Sequence, residues 1–260
     1  MVSNYSLPSF SLRFIPIWRR NFLVWRKLAG ASVLGNVAEP LITLIAFGYG
    51  LGSLLSNIDG VPYIAFLASG AICMSIMMAS SFEALYSAFS RMHVQKTWDA
   101  LLNAPLDLDD VVLAEMLWAA TKAMFSGIAI LLVMFLLGIG LHPQTILVLP
   151  LLFLTGMTFA SLGLVVNALA RGYDFFTYYF TLFNTPMIFL SGIYYPTSNM
   201  PQWLQMVANF LPLSAAVNLV RPLILGRWPE SWLMNLVVLA IYCVAGFYAA
   251  TVLTRRRLLK

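Results

Sequence analysis

Glu39, Glu83, Glu115 and Lys122 are ionisable residues set inside long apolar runs. A charge held in lipid is costly, so such groups are paired, hydrated or put to use. Glu115 and Lys122 stand about two helical turns apart and share a face, with Trp118 between them. Two chemistries are open to such a set, proton relay and ion pairing. A proton-coupled carrier needs carboxylates or histidines at mid-bilayer. The three glutamates instead fall within a few turns of the ends of their apolar runs, where water is near. Structural pairing or snorkelling is therefore the simpler role.

A second group is aromatic and polar. Phe175, Phe176, Tyr178, Tyr179, Phe180, Phe183 and Asn184 crowd one apolar stretch. Rings stack on sugar faces or acyl chains, and Tyr hydroxyls bond to glycan hydroxyls. Packing and interface anchoring explain the same residues equally simply. No catalytic residue is singled out. The sequence has no G-x-x-x-x-G-K-[ST] phosphate loop and no H-E-x-x-H. No metal site is expected either. Cys73 and Cys243 are isolated within apolar runs, and His93 and His142 fall on opposite sides of the membrane in the topology below.

These residues are positioned by a membrane chain. It has 260 residues, 61% hydrophobic and 10% charged, with mean hydropathy +0.85. Soluble domains carry about a quarter charged residues. The net charge of +5 is not a nucleic-acid signal, because the cations sit at the ends of apolar segments.

The expected fold is all-α and polytopic, with six transmembrane helices. Residues 1–29 form a cytoplasmic N-terminal segment, and 30–260 one transmembrane domain. No cleavable signal peptide is expected in Met1–Lys27, which lacks an uninterrupted apolar core. Pro16–Lys27 reads as an interfacial helix, with Trp18 and Trp25 toward the acyl boundary and Arg19 and Arg20 toward headgroups. It equally serves as a positively charged anchor for the next span. Each span needs about 20 apolar residues. They run Ala31–Leu55, Tyr63–Ser87, Val111–Leu137, Thr145–Ala170, Phe175–Ile193 and Ser231–Thr254. Between the last two, Tyr194–Trp228 is broken by prolines into pieces too short to cross, as re-entrant or extracytoplasmic helices are. Twelve of the fifteen Lys and Arg residues fall on the side of the termini, Arg221 and Arg227 on the other, and Lys122 within a span. That bias places both termini in the cytoplasm.

Arg91–Asp110 is then a cytoplasmic block between spans two and three. Trp98, Leu101 and Leu102 fall at i, i+3, i+4 and make an apolar ridge, with Lys96 and Asp99 as polar neighbours. A solvated loop does not explain a Trp and two Leu, whereas a ridge seated in a partner's groove does. Pro105 ends this short helix. Asp107, Asp109 and Asp110 sit where the dipole of the next helix favours negative charge.

WRRNFLVWRKLAGASVLGNVAEP at Trp18–Pro40, RMHVQKTWDALLNAPLDLDDVVLAEMLWAATKA at Arg91–Ala123, LSGIYYP at Leu190–Pro196 and FLPLSAAVNLVRPLILG at Phe210–Gly226 carry a resemblance, as does the LTRRRLL end. Taken together they resemble the transmembrane subunits of ABC-2 class exporters, and more closely the nodulation protein J family of permeases. The resemblance implies a homodimer of six-span subunits in the bacterial inner membrane. Two copies of a nodulation protein I-like ABC ATPase would bind ATP and Mg, leaving this chain without a cofactor and without catalysis of its own. Lys96, Trp98, Asp99, Leu101 and Leu102 map onto the family's coupling helix, and Trp18, Arg19, Arg20 and Trp25 onto its N-terminal connecting helix. Asn36, Glu39, Tyr178, Tyr179 and Asn184 are the candidate lining of a path. The implied cargo is a lipo-chitin oligosaccharide, or more broadly an amphiphilic glycolipid. An exporter of drug-like or other hydrophobic small molecules is the alternative. An ATP-independent carrier or channel needs mid-bilayer charge or an internal repeat, and neither is seen. An intramembrane glycolipid enzyme needs convergent Asp, His or Ser groups, and the carboxylates here are scattered.

Overall fold

The computed structural model describes residues 5–9, 11–54, 57–58 and 60–258. The side chains at positions 31, 33, 36, 37, 39 and 40 lie outside the described residues, and with them the candidate path residues Asn36 and Glu39. Helices dominate. α1 (Phe14–Trp25) runs through a 3-10 turn into α2 (Ala29–Gly50). Two two-residue strands, β1 (Asn57–Ile58) and β2 (Val61–Pro62), pair antiparallel around Gly60, whose φ of +78° suits a residue without a Cβ. α3 (Tyr63–Phe82) continues through π-helical turns at Glu83–Ser87 and Ser90–Val94, giving one 32-residue apolar helix. α4 (Thr97–Leu102) is short, and α5 (Leu108–Leu136) long. A 3-10 turn leads into α6 (Val148–Leu169). α7 (Asp174–Tyr179), a π turn at Phe180–Asn184 and α8 (Thr185–Leu190) follow one another directly. α9 (Gln202–Phe210), α10 (Pro212–Ile224) and α11 (Trp232–Leu258) complete the chain.

Local sequence explains the breaks. Leu211 is extended before Pro212, as a residue before proline must be, and Pro212 opens α10 at its first turn. The result is an 87° bend between α9 and α10. α5 begins with a capping box: Asp107 is the N-cap, and Asp110 reaches back to its N–H at 3.3 Å. The start therefore lies at Leu108, earlier than hydropathy alone expects.

Four described helices are long and apolar enough to cross a membrane: Tyr63–Val94, Leu108–Leu136, Pro143–Leu169 and Trp232–Leu258. The bent α9–α10 pair brings the number to five if it counts as one span. This is an all-α, multi-pass membrane protein. Tyr63–Val94 is the central helix. Its apolar window is 89% buried inside the chain, whereas the other three are 39–50% buried and keep sides for lipid or further protein. A helix enclosed by protein needs no polar face, and Tyr63–Phe82 is apolar almost all round. In lipid, helices associate through close packing rather than the hydrophobic effect. Gly156 of α6 shows how: a Cβ there would stand 3.1 Å from the Ala120 Cα of α5.

Buried apolar residues form two clusters. One centres on α3, α5, α6 and α10 and includes Phe66, Ile76, Leu152 and Val220. The other gathers at the opposite end and includes Trp98, Val111, Leu164, Phe176 and Phe247. It is at this second end that the charged residues collect.

Candidate functional site

The site begins with a left-handed turn. Lys96 has φ 50°, among the described residues the one non-glycine position in that region. It reverses the chain from the end of the α3 helix into α4. The turn lays α4 across α5 with Trp98 inward. Trp98 is 1% exposed, and its Nε1 donates to Glu115 Oε1 at 3.2 Å. Leu101 and Leu102 pack, half-buried, against the same cluster.

This placement changes the expected role of the ridge. Trp98, Leu101 and Leu102 were the apolar face for a partner, yet they turn toward their own subunit. The reason is energetic. Trp98 has an N–H that needs an acceptor when buried, and Glu115, 17 residues on in α5, provides one. What faces outward is polar: Gln95, Lys96, Asp99 and Asn103 are exposed, together with Val94.

Behind α4 lies an ion cluster. Arg91 donates from Nε to Glu115 Oε1 at 2.9 Å and from Nη2 to Glu115 Oε2 at 2.5 Å. The same Nη2 lies 2.9 Å from Glu83 Oε1. Lys122 Nζ donates to Glu83 Oε2 at 2.7 Å, and Trp118 Nε1 to Glu83 Oε1 at 2.9 Å. Two carboxylates from α3 and α5 thus share Arg91 and Lys122, with a Trp indole on each. Both Glu83 and Arg91 sit on the π turns of the α3 helix, where a widened turn changes which way side chains point. The glutamates are buried and paired, so proton relay has no free carboxylate here.

A second buried pair ties the termini to the bundle. Arg255, in the last turns of α11, forks onto both oxygens of Asp109 at the start of α5. Asp109 Oδ2 also accepts from the Ser9 N–H and Oγ, and Arg255 Nη1 donates to the Ser6 carbonyl at 2.7 Å. Arg255 falls just past the expected end of the last span at Thr254, but α11 runs on to Leu258 and carries it into the interior.

α1 packs by its aromatic side. Trp18 Nε1 donates to Thr121 Oγ1 at 3.1 Å, and Trp25 stacks on Phe125 with ring centres 4.7 Å apart. Trp18 and Trp25 thus meet α5, whereas Ile15, Val24 and Leu28 are the exposed apolar residues and Arg19 is exposed. Arg20 points toward α4, its Nη2 3.5 Å from Thr97 Oγ1.

Among the described candidate path residues, Tyr178 does not share a surface with Tyr179 and Asn184. Tyr178 is 62% exposed, beside Phe175, Leu182 and Phe183. Tyr179 and Asn184 face inward, Asn184 Nδ2 lying 3.9 Å from Met78 Sδ. The hub role of Arg91 was missed in the sequence. It was signalled there by the number of carboxylates at one end of an apolar chain, since each needs a cation.

Comparison with known proteins decides the class. The ABC-2 type transporter family matches residues 13–225. The chain belongs to the ABC-2 type transporter family. It is similar to nodulation protein J of Rhizobium leguminosarum bv. trifolii, 47% identical over 98% of this chain and 97% of that protein. Nodulation protein J of Sinorhizobium fredii (strain NBRC 101917 / NGR234) is 43% identical over 97% of each. The inner membrane transport permease YadH of Escherichia coli (strain K12) is 22% identical over 92% of this chain and 93% of its own. The chain is thus the permease component of an ABC exporter, and the helices above are those of a permease, not of a catalytic subunit.

Proposed function

We propose that this permease works as a homodimer of six-span subunits in the bacterial inner membrane, driven by two copies of a nodulation protein I-like ABC ATPase. ATP and Mg belong to that partner. α2 and the α7–α8 helix are the two further spans in this reading, α9 and α10 are short extracytoplasmic or re-entrant helices, and both termini are cytoplasmic. The cation bias in the sequence supports that orientation. The cargo is an amphiphilic glycolipid of the lipo-chitin oligosaccharide kind, supported by near full-length similarity to nodulation protein J.

One observation carries the coupling mechanism: Trp98 anchors α4 to the carboxylate that Arg91 shares between α3 and α5. A push on the exposed polar face of α4 reaches two spans through a charged, hydrogen-bonded cluster rather than through a flexible loop. In this mechanism Lys96 and Asp99 meet the ATPase, and Trp98, Leu101 and Leu102 transmit.

The test is co-purification with the neighbouring ATPase together with export of the glycolipid from cells. Asp99→Arg should release the ATPase, whereas Trp98→Ala should keep it bound and still lose export. Normal export by both variants, at normal membrane levels, overturns the mechanism.

A further inference from the structure

Between α1, α3 and α5 lies a cavity of about 170 Å³, lined by Arg20, Asn21, Trp25, Glu83, Arg91 and Lys122 among others. Its charges do not balance. Glu83 is saturated by Arg91, Lys122 and Trp118, and Glu115 takes the other edge of Arg91. Arg20 is left with neutral acceptors, Asn21 Oδ1 at 3.1 Å and Thr97 Oγ1 at 3.5 Å. Three cations therefore face two carboxylates, and the surplus charge is on Arg20.

Two donors there also lack acceptors. Asn21 is 4% exposed, and its Oδ1, accepting from Arg20, leaves its Nδ2 as the free donor. That Nδ2 and Trp25 Nε1 are buried with no hydrogen-bond partner among the described residues. They stand at i and i+4 on α1, on one face. Buried donors without acceptors are costly and rare. Water would satisfy them but brings no negative charge to offset that of Arg20.

We propose that this cavity binds a phosphate group, with Arg20, Asn21 and Trp25 as its donors. A single water needs about 10–15 Å³ by this measure of volume, so a tetrahedral oxyanion fits. Val24 lines the same cavity and is 57% exposed, so the mouth opens along the outer side of α1. A phosphodiester entering there leaves its glycerol and acyl chains outside. A phospholipid headgroup and free inorganic phosphate are the two sources of this chemistry. The site does not depend on the identity of the exported cargo.

The experiment uses the full-length permease, delipidated in an uncharged detergent, and follows thermal unfolding. Phosphatidylglycerol, inorganic phosphate and uncharged diacylglycerol are added separately. Phosphatidylglycerol should raise the midpoint by about 3–5 °C, and diacylglycerol should not. A shift with inorganic phosphate as well assigns the site to the free anion; a shift with the lipid alone assigns it to the headgroup. Arg20→Gln and Asn21→Asp should each remove the shift. Arg20 is half-exposed, so its variant keeps the test open if Asn21→Asp does not fold. No shift with either phosphate compound overturns the proposal, as does an equal shift with diacylglycerol or an undiminished shift in Arg20→Gln.

Discussion

Trp98 Nε1 and Glu115 Oε1, 3.2 Å apart, fasten the six-residue α4 to the long α5. So short a helix does not hold its shape alone. Its order comes from this bond, from the Lys96 turn and from burial of the indole. α4 is therefore held against α5 by its indole.

Trp98→Phe keeps most of the ring and removes the N–H. A hydrogen bond to a charged group is worth about 1.5–3 kcal/mol. The variant should insert normally, unfold at a lower temperature and export partially. Trp98→Ala also loses packing, at about 3–5 kcal/mol, and should expose the α4 amides to rapid hydrogen exchange. Thermal unfolding and exchange of the purified permease check both. Wild-type protection of α4 in the Ala variant would show that the anchor lies elsewhere.

Glu83 holds Lys122 and, with Glu115, holds Arg91. Glu83→Gln leaves Lys122 beside a neutral amide. Breaking one side of a buried pair costs about 3–5 kcal/mol, whereas removing both partners costs less. Glu83→Gln should therefore destabilise strongly, and Glu83→Gln with Lys122→Gln should recover part of the loss. A double variant less stable than the single one would refute the pairing as an energetic unit. The comparison is made by denaturant unfolding in one detergent.

Four of the six expected spans were legible because apolar runs of spanning length are hard to mistake, and the prolines at 196, 201, 212, 222 and 229 marked the irregular segment. Boundaries were less so. Hydropathy ends span two at Ser87, but the helix runs to Val94, since Arg91 finds Glu83 and Glu115 inside the bundle and need not leave it. The direction of Trp98 was not legible either. Spacing places Trp98, Leu101 and Leu102 on one face of α4, yet it cannot say whether that face meets another protein or its own α5. The acceptor that decides it, Glu115, belongs to a different helix. Asp109 and Arg255 were equally hidden, lying 146 residues apart in sequence.

Asp109 and Arg255 form a clamp on the N-terminal segment through Ser6 and Ser9. Asp109→Asn removes the charge that holds the guanidinium. The segment at residues 5–9 should then be cut faster by a non-specific protease, while the helices stay resistant. Arg255→Lys should not substitute, because an ammonium lacks the fork that spans both carboxylate oxygens. Cleavage rates equal to wild type in Asp109→Asn would mean the segment is held by other contacts.

Tyr178 and Tyr179 are neighbours in sequence with opposite surroundings. Tyr178 is 62% exposed among Phe175, Leu182 and Phe183, and Tyr179 is 6% exposed and stacked near Phe183 at 6.0 Å. The two substitutions to Leu should therefore separate stability from transport. Tyr179→Leu disturbs buried packing and should lower the unfolding temperature. Tyr178→Leu removes a ring that faces out of the subunit, where a second copy, lipid or cargo meets it. It should leave unfolding unchanged and reduce export of the proposed glycolipid cargo by roughly 2- to 10-fold, the scale of one lost aromatic contact of about 0.5–1.5 kcal/mol. Export and detergent stability measured on the same membranes distinguish these outcomes. If Tyr178→Leu exports at the wild-type rate, the exposed aromatic face does not touch the cargo, and its rings serve packing against lipid or a second subunit.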